Sequence, residues 1–359
     1  MKPGKQYIED ILYGRKRSLL IEPLLGLLSL LYAAGVRLRH ALYGAGIFKR
    51  KKIGQQVISV GNLTLGGTGK TPAVINIAGL LKAVHRRPAV ISRGYGRRDE
   101  SEVLVVSDGN RILMDAGNGG DEPVLMASNL AGVPVVVGSD RFRAANICHD
   151  KFGNDTIILD DGFQHIGLHR DLDIVLINAR DPFGNGKLFP AGILREPLSA
   201  LRRAQVVLIT GVEPGSDLTM LKALITEHTD SQIFTSRTVP KDIVNITTGE
   251  VRPLSALQGA KVYAFAGIAR PASFFSLLRA QGADIRKEAV FADHYQYSPS
   301  DLARLVRDAA DTKADMTVTT EKDAVRLKDL IKTVPVWAVR IELSIVEKEA
   351  WEAILSNRA

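Results

Sequence analysis

A glycine-rich segment that joins a strand pattern to a helix pattern constrains this chain most. The β-branched run at 57–60 leads into the glycine-rich segment, and an apolar, helix-periodic stretch follows. Glycines let consecutive backbone N–H groups turn toward phosphate oxygens, and the positive end of the following helix adds to the attraction. Lys70 can reach the β- and γ-phosphates, and Thr71 can bind Mg²⁺. The predicted nucleotide-binding residues are Gly66, Gly67, Thr68, Gly69, Lys70 and Thr71.

This loop departs from the strict phosphate-loop pattern at one position. The pattern requires a glycine five residues before Gly69, and the chain has Thr64 there. A dinucleotide-binding loop is a poorer match, because the G-x-G-x-x-G spacing is absent. A glycine-rich turn without a ligand is the remaining alternative. The favoured prediction is a nucleoside triphosphate site.

Strand-like and helix-like stretches alternate along most of the chain. Several predicted strands are continuous apolar runs, which are typical of parallel strands covered by helices on both faces. Polar, turn-rich stretches at 211–217 and 235–249 precede a second, smaller set of alternating elements. We therefore predict an α/β fold of the P-loop type, with a mostly parallel sheet at 53–235 and a smaller α/β domain at 236–359. The predicted strands of the first domain are 57–60, 88–91, 103–106, 133–137, 156–159, 173–177 and 206–210.

The first 52 residues differ in charge from the rest. They contain eleven Lys and Arg residues against three acids, which accounts for the whole net charge of +8. Two basic clusters flank the apolar segment 18–36, a pattern typical of binding to a membrane surface and not to nucleic acid. The uncharged stretch 24–36 would form about 20 Å of helix against about 30 Å of hydrocarbon. We expect a membrane-associated helix within one leaflet, with a tilted span or a buried core helix as alternatives.

Cysteine content bears on the compartment. Cys148 is the single cysteine, so no internal disulfide can form and a reducing compartment fits best. No Cys and His spacing in the chain suggests zinc. The single cysteine and the need for cytosolic ATP together predict a cytoplasmic location for the phosphate loop.

Two adjacent acids end the apolar run at 156–159. After a phosphate loop, Asp160 and Asp161 predict a second Mg²⁺ motif at a strand tip. Adjacent residues of a strand point to opposite faces, so only one of the two is expected to face the nucleotide. An ordinary acidic turn after a strand is the alternative.

Other charged residues near the same predicted edge are candidates for the acceptor side. Asp121 follows a glycine turn at the start of a helix, where it could accept the proton of an attacking hydroxyl or simply cap the helix. The loop containing Arg93, Tyr95 and Arg97 could bind an anionic substrate or lie in solvent. Arg141 and Arg195 could neutralise phosphate charge during transfer.

Six motifs in this order resemble one family, the tetraacyldisaccharide 4'-kinases, which are the lipid A 4'-kinases of Gram-negative bacteria. The similarity extends over nearly the whole chain. The motifs are Gly66-Gly67-Thr68-Gly69-Lys70-Thr71, Ser92-Arg93-Gly94-Tyr95-Gly96-Arg97, Gly120-Asp121-Glu122-Pro123, Asp160-Asp161-Gly162-Phe163-Gln164-His165, Pro190-Ala191-Gly192-Ile193-Leu194-Arg195-Glu196-Pro197 and Asp293-His294-Tyr295.

The resemblance implies transfer of the γ-phosphate of ATP to the 4'-hydroxyl of a tetraacyldisaccharide 1-phosphate, giving lipid IVA at the cytoplasmic face of the inner membrane. It implies ATP and Mg²⁺ as cofactors, inner-membrane lipids as a partner, and no obligate protein partner. Asp121 would be the base, paired with His294, and Glu122 would assist Asp160 and Asp161 with Mg²⁺. Arg141 and Arg195 would stabilise charge near the transferring group.

Two other functions remain as alternatives. A membrane-recruited ATPase switch also has a loop ending in Gly-Gly-x-Gly-Lys-Thr, but such switches carry a lysine where this chain has Leu65. A soluble kinase of small molecules would have its first apolar helix in the core. The location of that helix therefore separates the second alternative from the lipid kinase.

Overall fold

The computed structural model describes residues 3–94, 97, 99, 102–328, 330–331 and 335–357. The helices are α1 Pro3–Leu12, α2 Ile21–Gly44, α3 Lys70–Ala83, α4 Ala116–Gly119, α5 Asp121–Asn129, α6 Arg141–Phe152, α7 Thr219–Thr226, α8 Pro271–Ala280, α9 Pro299–Asp311, α10 Glu321–Leu327 and α11 Lys348–Asn357. The strands are β1 Gln56–Asn62, β2 Pro88–Ser92, β3 Leu104–Ser107, β4 Val135–Val137, β5 Thr156–Asp160, β6 Leu172–Asn178, β7 Val206–Thr210, β8 Gln232–Asn245, β9 Val251–Arg252, β10 Lys261–Ala266, β11 Asp284–Val290, β12 Met316–Thr320 and β13 Val336–Ile345.

One continuous sheet runs through the described structure in the order β11-β10-β12-β13-β8-β7-β6-β1-β5-β2-β4-β3. Most neighbours are parallel, whereas β3 pairs antiparallel with β4 and β13 pairs antiparallel with β8. All seven strands predicted for the first part of the chain are present as β1 to β7. The α/β fold class and the mostly parallel sheet are therefore confirmed.

The central strands are apolar because helices cover both of their faces. Ile58 and Val60 of β1 are fully buried, and β1 lies between β5 and β6. Helix α3 packs against this region through Val74 and Ile77, which are also fully buried. This packing fixes the start of α3 at the carboxyl end of β1, where the glycine-rich loop lies.

Strand β8 joins two halves of the sheet. Its residues 232–235 pair in parallel with β7, and residues 236–245 pair antiparallel with β13. We call the strands from β1 to β7 the first half and those from β10 to β13 the second half. The sheet is continuous through β8, and the division of the chain into domains at residues 235 and 236 stays a prediction.

The polar turns that the sequence predicted over 235–249 are wrong for most of that range. Strand β8 continues to Asn245, with residues 234–236 buried near its start and Ile243 and Asn245 buried near its end. Polar residues are accommodated because β8 pairs with β13, about a hundred residues later in the chain. Strand formation that depends on such distant pairing has little local signal.

Helix α2 lies on the surface of the first half. Among the described residues it is the one helix that is long and apolar enough to cross a membrane, and none of its residues is fully buried. Its 24 residues correspond to about 36 Å of helix. The helix is longer than the uncharged stretch 24–36 because it extends beyond that stretch at both ends. The predicted N-terminal apolar helix is thus present. Its exposed leucines are Leu24, Leu27, Leu28, Leu30, Leu31 and Leu38.

The opposite face of α2 makes hydrogen bonds to loops of the first half. Ser29 Oγ donates to the Leu188 carbonyl at 2.9 Å, and the Tyr32 hydroxyl donates to the Arg195 carbonyl at 2.9 Å. Further along, the Arg39 guanidinium donates to the Gln164 carbonyl at 2.9 Å. One face of α2 is therefore attached to the protein over most of its length.

Candidate active site

The glycine-rich loop follows β1 and ends at the first residue of α3. Gly66 and Gly69 have φ angles of 95° and 82°, a backbone conformation that favours glycine. Gly66 and Gly67 are exposed, whereas Thr68 is buried. The Thr210 hydroxyl donates to the Thr68 carbonyl at 2.8 Å and ties the loop to the end of β7. The loop thus presents its backbone at the carboxyl edge of the parallel sheet.

The structure explains Thr64 in place of the usual glycine. Thr64 is buried and forms an antiparallel bridge with Leu194. On either side, Leu65 N–H donates to the Ile193 carbonyl and Arg195 N–H donates to the Leu63 carbonyl, both at 2.7 Å. The backbone there is strand-like, so no glycine is required. The same bridge places Arg195 next to the glycine-rich loop.

Lys70, Asp161 and Arg195 form one charged cluster beside the loop. Lys70 Nζ lies 3.4 Å from Asp161 Oδ1 and donates to Asn62 Oδ1 at 3.3 Å. Arg195 Nη1 donates to both oxygens of Asp161, at 2.9 and 3.1 Å. Burial acts to raise the pKa of Asp161, but Lys70 and Arg195 outweigh it and the pKa is lowered. Asp161 is therefore held ionised next to Lys70, the lysine that the sequence predicts to bind phosphate.

Asp160 differs from Asp161 because it is inside the sheet. It ends β5, is almost completely buried, and accepts a hydrogen bond from Ser92 Oγ on Oδ2 at 2.8 Å. Its Oδ1 is buried with no hydrogen-bond partner. Burial, together with the charge of Glu122, raises its pKa to about 6. Strand β5 ends at Asp160, and Asp161 has a φ of 52°, so the two acids are not consecutive residues of a strand that point to opposite faces. The charge of Lys70 acts to lower the pKa of both acids.

These residues fit a magnesium ion bound together with a nucleotide. A buried carboxylate oxygen without a partner is suited to a hard cation, and Mg²⁺ in such sites takes one or two carboxylates with phosphates and waters. Thr71 is a buried residue at the start of α3, directly after Lys70, and its hydroxyl is a suitable oxygen ligand for Mg²⁺. Among the described residues no group of three or more His, Cys, Asp or Glu could hold a metal alone. A cation here would need the phosphates as well.

The raised pKa of Asp160 predicts a stability effect. Because its pKa of about 6 lies above the ordinary 3.8, ionisation of Asp160 destabilises the fold at neutral pH, and this cost decreases progressively as the pH falls from about 6 toward 3.8. Asp160→Asn should raise the Tm of the nucleotide-free protein at pH 8, with a smaller gain at pH 5. Asp155→Asn is the matched control, because the pKa of Asp155 is lowered and its loss should reduce Tm. A lower Tm for Asp160→Asn at pH 8 would contradict this assignment.

Asp121 and His294 meet across the two halves of the sheet. Asp121 is the first residue of α5, and His294 lies in the loop after β11 with a φ of 56°. His294 Nδ1 lies 3.1 Å from Asp121 Oδ2. The hydrogen bond with Asp121 raises the pKa of His294. Burial acts to raise the pKa of Asp121, but His294 and Arg326 outweigh it and lower that pKa.

Helix α10 supplies residues of this site that the sequence analysis missed. Arg326 Nε donates to Asp121 Oδ2 at 2.6 Å, and Lys322 Nζ donates to Glu122 Oε1 at 2.9 Å. This helix belongs to the second set of alternating elements, in which the sequence predicted only His294 as a site residue. Its one signal was the density of charge in Glu321, Lys322, Asp323 and Arg326 directly after a strand.

The remaining predicted arginines lie at different places along the edge. Arg141 begins α6, is buried, and donates to the carbonyls of Gly138 and Ser139 at 2.8 and 3.2 Å. Burial lowers its pKa, and the charges of Asp160 and Asp161 oppose that shift. Arg97 is buried and its Nε and Nη1 have no partner, whereas Arg93 is exposed. Tyr95 lies outside the described residues.

Comparison with known proteins gives a consistent result. A family model described as tetraacyldisaccharide-1-P 4'-kinase matches residues 21–359. The tetraacyldisaccharide 4'-kinase of Geobacter metallireducens is 42% identical, with 94% of this chain and 98% of that protein covered. The kinase of Syntrophus aciditrophicus is also 42% identical, with 92% and 91% covered. A crystal structure of LpxK from Aquifex aeolicus in complex with ATP has a TM-score of 0.79 at 32% identity, covering 94% of this chain and 99% of that one.

Proposed function

The chain belongs to the tetraacyldisaccharide-1-P 4'-kinase family and is a kinase, and we propose that it transfers the γ-phosphate of ATP to the 4'-hydroxyl of a tetraacyldisaccharide 1-phosphate. One observation carries the assignment of the site. The charges of Lys70 and His294 act on Glu122, and the charge of Glu122 acts on Asp160, so all four lie in one electrostatic neighbourhood. A nucleotide on the loop would therefore have its phosphates near the Asp121–His294 pair.

Each residue has a role that its contacts support. Lys70 would neutralise the β- and γ-phosphates, with Gly66, Gly67, Thr68 and Gly69 providing backbone N–H groups. Asp121 would orient the attacking hydroxyl and accept its proton, and His294 would hold Asp121. Arg195 and Arg141 would add positive charge beside the transferring group. Lys70 already contacts the acid Asp161, so incoming phosphate would compete with that carboxylate for the lysine.

Thr71, Asp160, Asp161 and Glu122 would hold Mg²⁺, which would supply positive charge to the phosphates. Asp160 is the strongest candidate, because its Oδ1 has no other partner. Asp161 is paired with Lys70 and Arg195, and Glu122 is paired with Lys322. These two acids would act chiefly through waters or through their charge.

The anionic acceptor would contact the basic loop after β2. Arg97 is buried, and two of its guanidinium nitrogens lack a partner. Buried donors of this kind favour a phosphate or carboxylate. We propose that Arg93, Tyr95 and Arg97 bind the phosphate that the acceptor lipid already carries.

The function is tested by supplying the purified protein with ATP, Mg²⁺ and tetraacyldisaccharide 1-phosphate in mixed micelles. Mass spectrometry should detect a bisphosphorylated lipid that is absent without ATP. A folded protein that releases no such product would overturn the assignment. A matched reaction without lipid measures ATP hydrolysis alone, which the ATPase alternative would show at an undiminished rate.

We further propose that α2 lies in the cytoplasmic leaflet of the inner membrane and does not cross it. The face that carries Ser29, Tyr32 and Arg39 is hydrogen-bonded to the protein, and a spanning helix would lose these bonds. The other face carries leucines whose exposed fraction ranges from 43% to 69%. Basic residues at both ends suit anionic headgroups. The acceptor would then be phosphorylated without leaving the bilayer.

Replacing two leucines of the exposed face tests this orientation. Leu27→Asp with Leu31→Asp should reduce flotation with anionic vesicles at least several-fold, because two charges enter the lipid-facing stripe. ATP binding should be unchanged. Met220→Asp is the matched control, since Met220 is an apolar side chain that is 82% exposed on α7. Equal flotation of the double variant and the control would argue against leaflet binding by α2.

A further inference from the structure

Helix α10 contacts the acidic start of α5 across the two halves of the sheet. It begins directly after β12, and three of its side chains bond to α5. Glu321 Oε1 accepts from Asn129 Nδ2 at 3.0 Å, Lys322 donates to Glu122, and Arg326 donates to Asp121. A short helix of the second half therefore restrains both acids that begin α5.

Arg326 is the most restrained of these side chains. Its guanidinium is completely buried. Nη1 donates to the Gly267 carbonyl at 3.1 Å and to Asp323 Oδ1 at 3.2 Å, which leaves Nε directed at Asp121. A buried guanidinium with this many bonds has one orientation available.

Asp323 is in turn fixed from several sides. Its Oδ2 accepts from the Gly267 N–H at 3.0 Å and from the Thr320 hydroxyl at 2.7 Å. Its Oδ1 accepts from the Tyr297 hydroxyl at 2.9 Å. Asp323 thus neutralises Arg326 and holds it, although it has no hydrogen bond with Asp121.

The two oxygens of Asp121 have different surroundings. Both His294 Nδ1 and Arg326 Nε contact Oδ2, at 3.1 and 2.6 Å. Within the described part of the chain, no hydrogen bond to Oδ1 is present. Half of the His294 side chain is exposed, so it restrains Asp121 less than the buried Arg326 does. Oδ1 keeps its lone pairs for another donor.

We propose that Arg326 is a positioning residue that locks Asp121 by its Oδ2 and leaves Oδ1 to receive the acceptor hydroxyl. The proposal rests on the proposed function, because it takes Asp121 as the base. In that step the hydroxyl proton passes to Oδ1 while the hydroxyl oxygen bonds to the γ-phosphorus and ADP leaves. Arg326 does not touch the substrate. It acts by removing the rotational freedom of the carboxylate, which is the geometric part of catalysis.

A double-mutant cycle between Arg326 and Asp121 tests the proposal. Arg326→Met should lower kcat by about ten- to a hundredfold, because Asp121 keeps its charge but loses its fixed orientation. The KM for ATP should change less than about twofold, since ATP binds at the other loop. In the Asp121→Ala background, Arg326→Met should cause almost no further loss of kcat. A purely structural role would lower kcat by a similar factor in both backgrounds.

Two further variants keep the result interpretable. The double variant Arg326→Met with Asp323→Asn removes both charges of the buried ion pair, so no unpaired charge is left in the core. It replaces the single variant in the assay if Arg326→Met melts below the assay temperature. Arg340→Met is the matched control, because Arg340 forms a two-bond ion pair with Asp242 in the second half and should leave kcat near the wild-type value.

The contrary outcomes separate the two levels of inference. If Asp121→Ala is nearly inactive and Arg326→Met lowers kcat equally in both backgrounds, the positioning role fails and the proposed function stands. If Arg326→Met keeps kcat within about twofold of the wild type, the positioning role also fails. If Asp121→Ala itself turns over normally, the base assignment in the proposed function fails, and this proposal fails with it.

Discussion

Asp121→Asn is expected to lower kcat about a thousandfold while ATP binding is retained, because the amide cannot accept the proton of the attacking hydroxyl. Asparagine keeps the shape of the side chain and can still accept from Arg326 and His294 on one oxygen. The loss would therefore report on proton transfer and not on a collapsed site. Steady-state turnover of the lipid together with equilibrium binding of ATP measures the two effects separately.

Asp115→Asn is the matched control for this variant. Asp115 caps α4 six residues earlier, where its carboxylate accepts from the Asn118 N–H at 2.8 Å. Asparagine is an equally good cap, so kcat should stay near the wild-type value. Near-normal turnover by Asp121→Asn would show that Asp121 is not the base. Its role would then be limited to the ion pairs that connect the two halves of the sheet.

Lys70→Met should lower kcat by about two to three orders of magnitude, because one positive charge at the transferring phosphate is lost. Methionine preserves most of the side-chain volume at a position that is largely buried. The variant also leaves Arg195 as the remaining cation beside Asp161. The Asp161 carboxylate is then less neutralised and repels the phosphates, which should weaken ATP binding. Both kcat and the KM for ATP should therefore change, in contrast to Asp121→Asn.

Lys82→Met controls for the general effect of removing a lysine from the same helix. Lys82 lies at the far end of α3, and its Nζ donates to the Ala131 carbonyl at 2.6 Å. Its loss should change kcat by less than about twofold, because it is remote from the loop. If Lys70→Met behaved like Lys82→Met, the loop at 66–71 would not be the phosphate site.

The alternating strands and helices of the first half could be predicted from sequence, because each is a local pattern. Runs such as 57–60 and 206–210 are β-branched and apolar, which is sufficient where helices cover both faces of a parallel sheet. Strand β8 was missed for the converse reason. Its formation depends on β13, whose pairing partners lie about a hundred residues away.

The candidate site divides in the same way. The sequence indicated Lys70, Asp160 and Asp161 by motif, and their grouping follows from strands that end at one edge. Arg326 had no motif of its own. Its contact with Asp121 joins residues 205 positions apart, so composition and spacing carry no information about it.

The orientation of the N-terminal helix was open for a related reason. The sequence contains an apolar segment with flanking charges, and its length alone left a leaflet helix and a tilted span as alternatives. In the structure the helix has 24 residues, so length no longer distinguishes them. The hydrogen bonds of Ser29, Tyr32 and Arg39 to loops of the first half support the proposed leaflet orientation, because they hold one face of the helix on the protein surface.

By itself, the sequence determined the phosphate loop and the class of fold, because both depend on the conformations and periodicity of consecutive residues. Positive φ angles at Gly66 and Gly69 need only those glycines and their neighbours. Only the tertiary structure decided which groups surround Asp121 and which face of α2 is free. Those features arise where segments far apart in the chain pack together, and the energy that orients a buried guanidinium comes from partners such as Asp323 and Gly267 that no local pattern identifies.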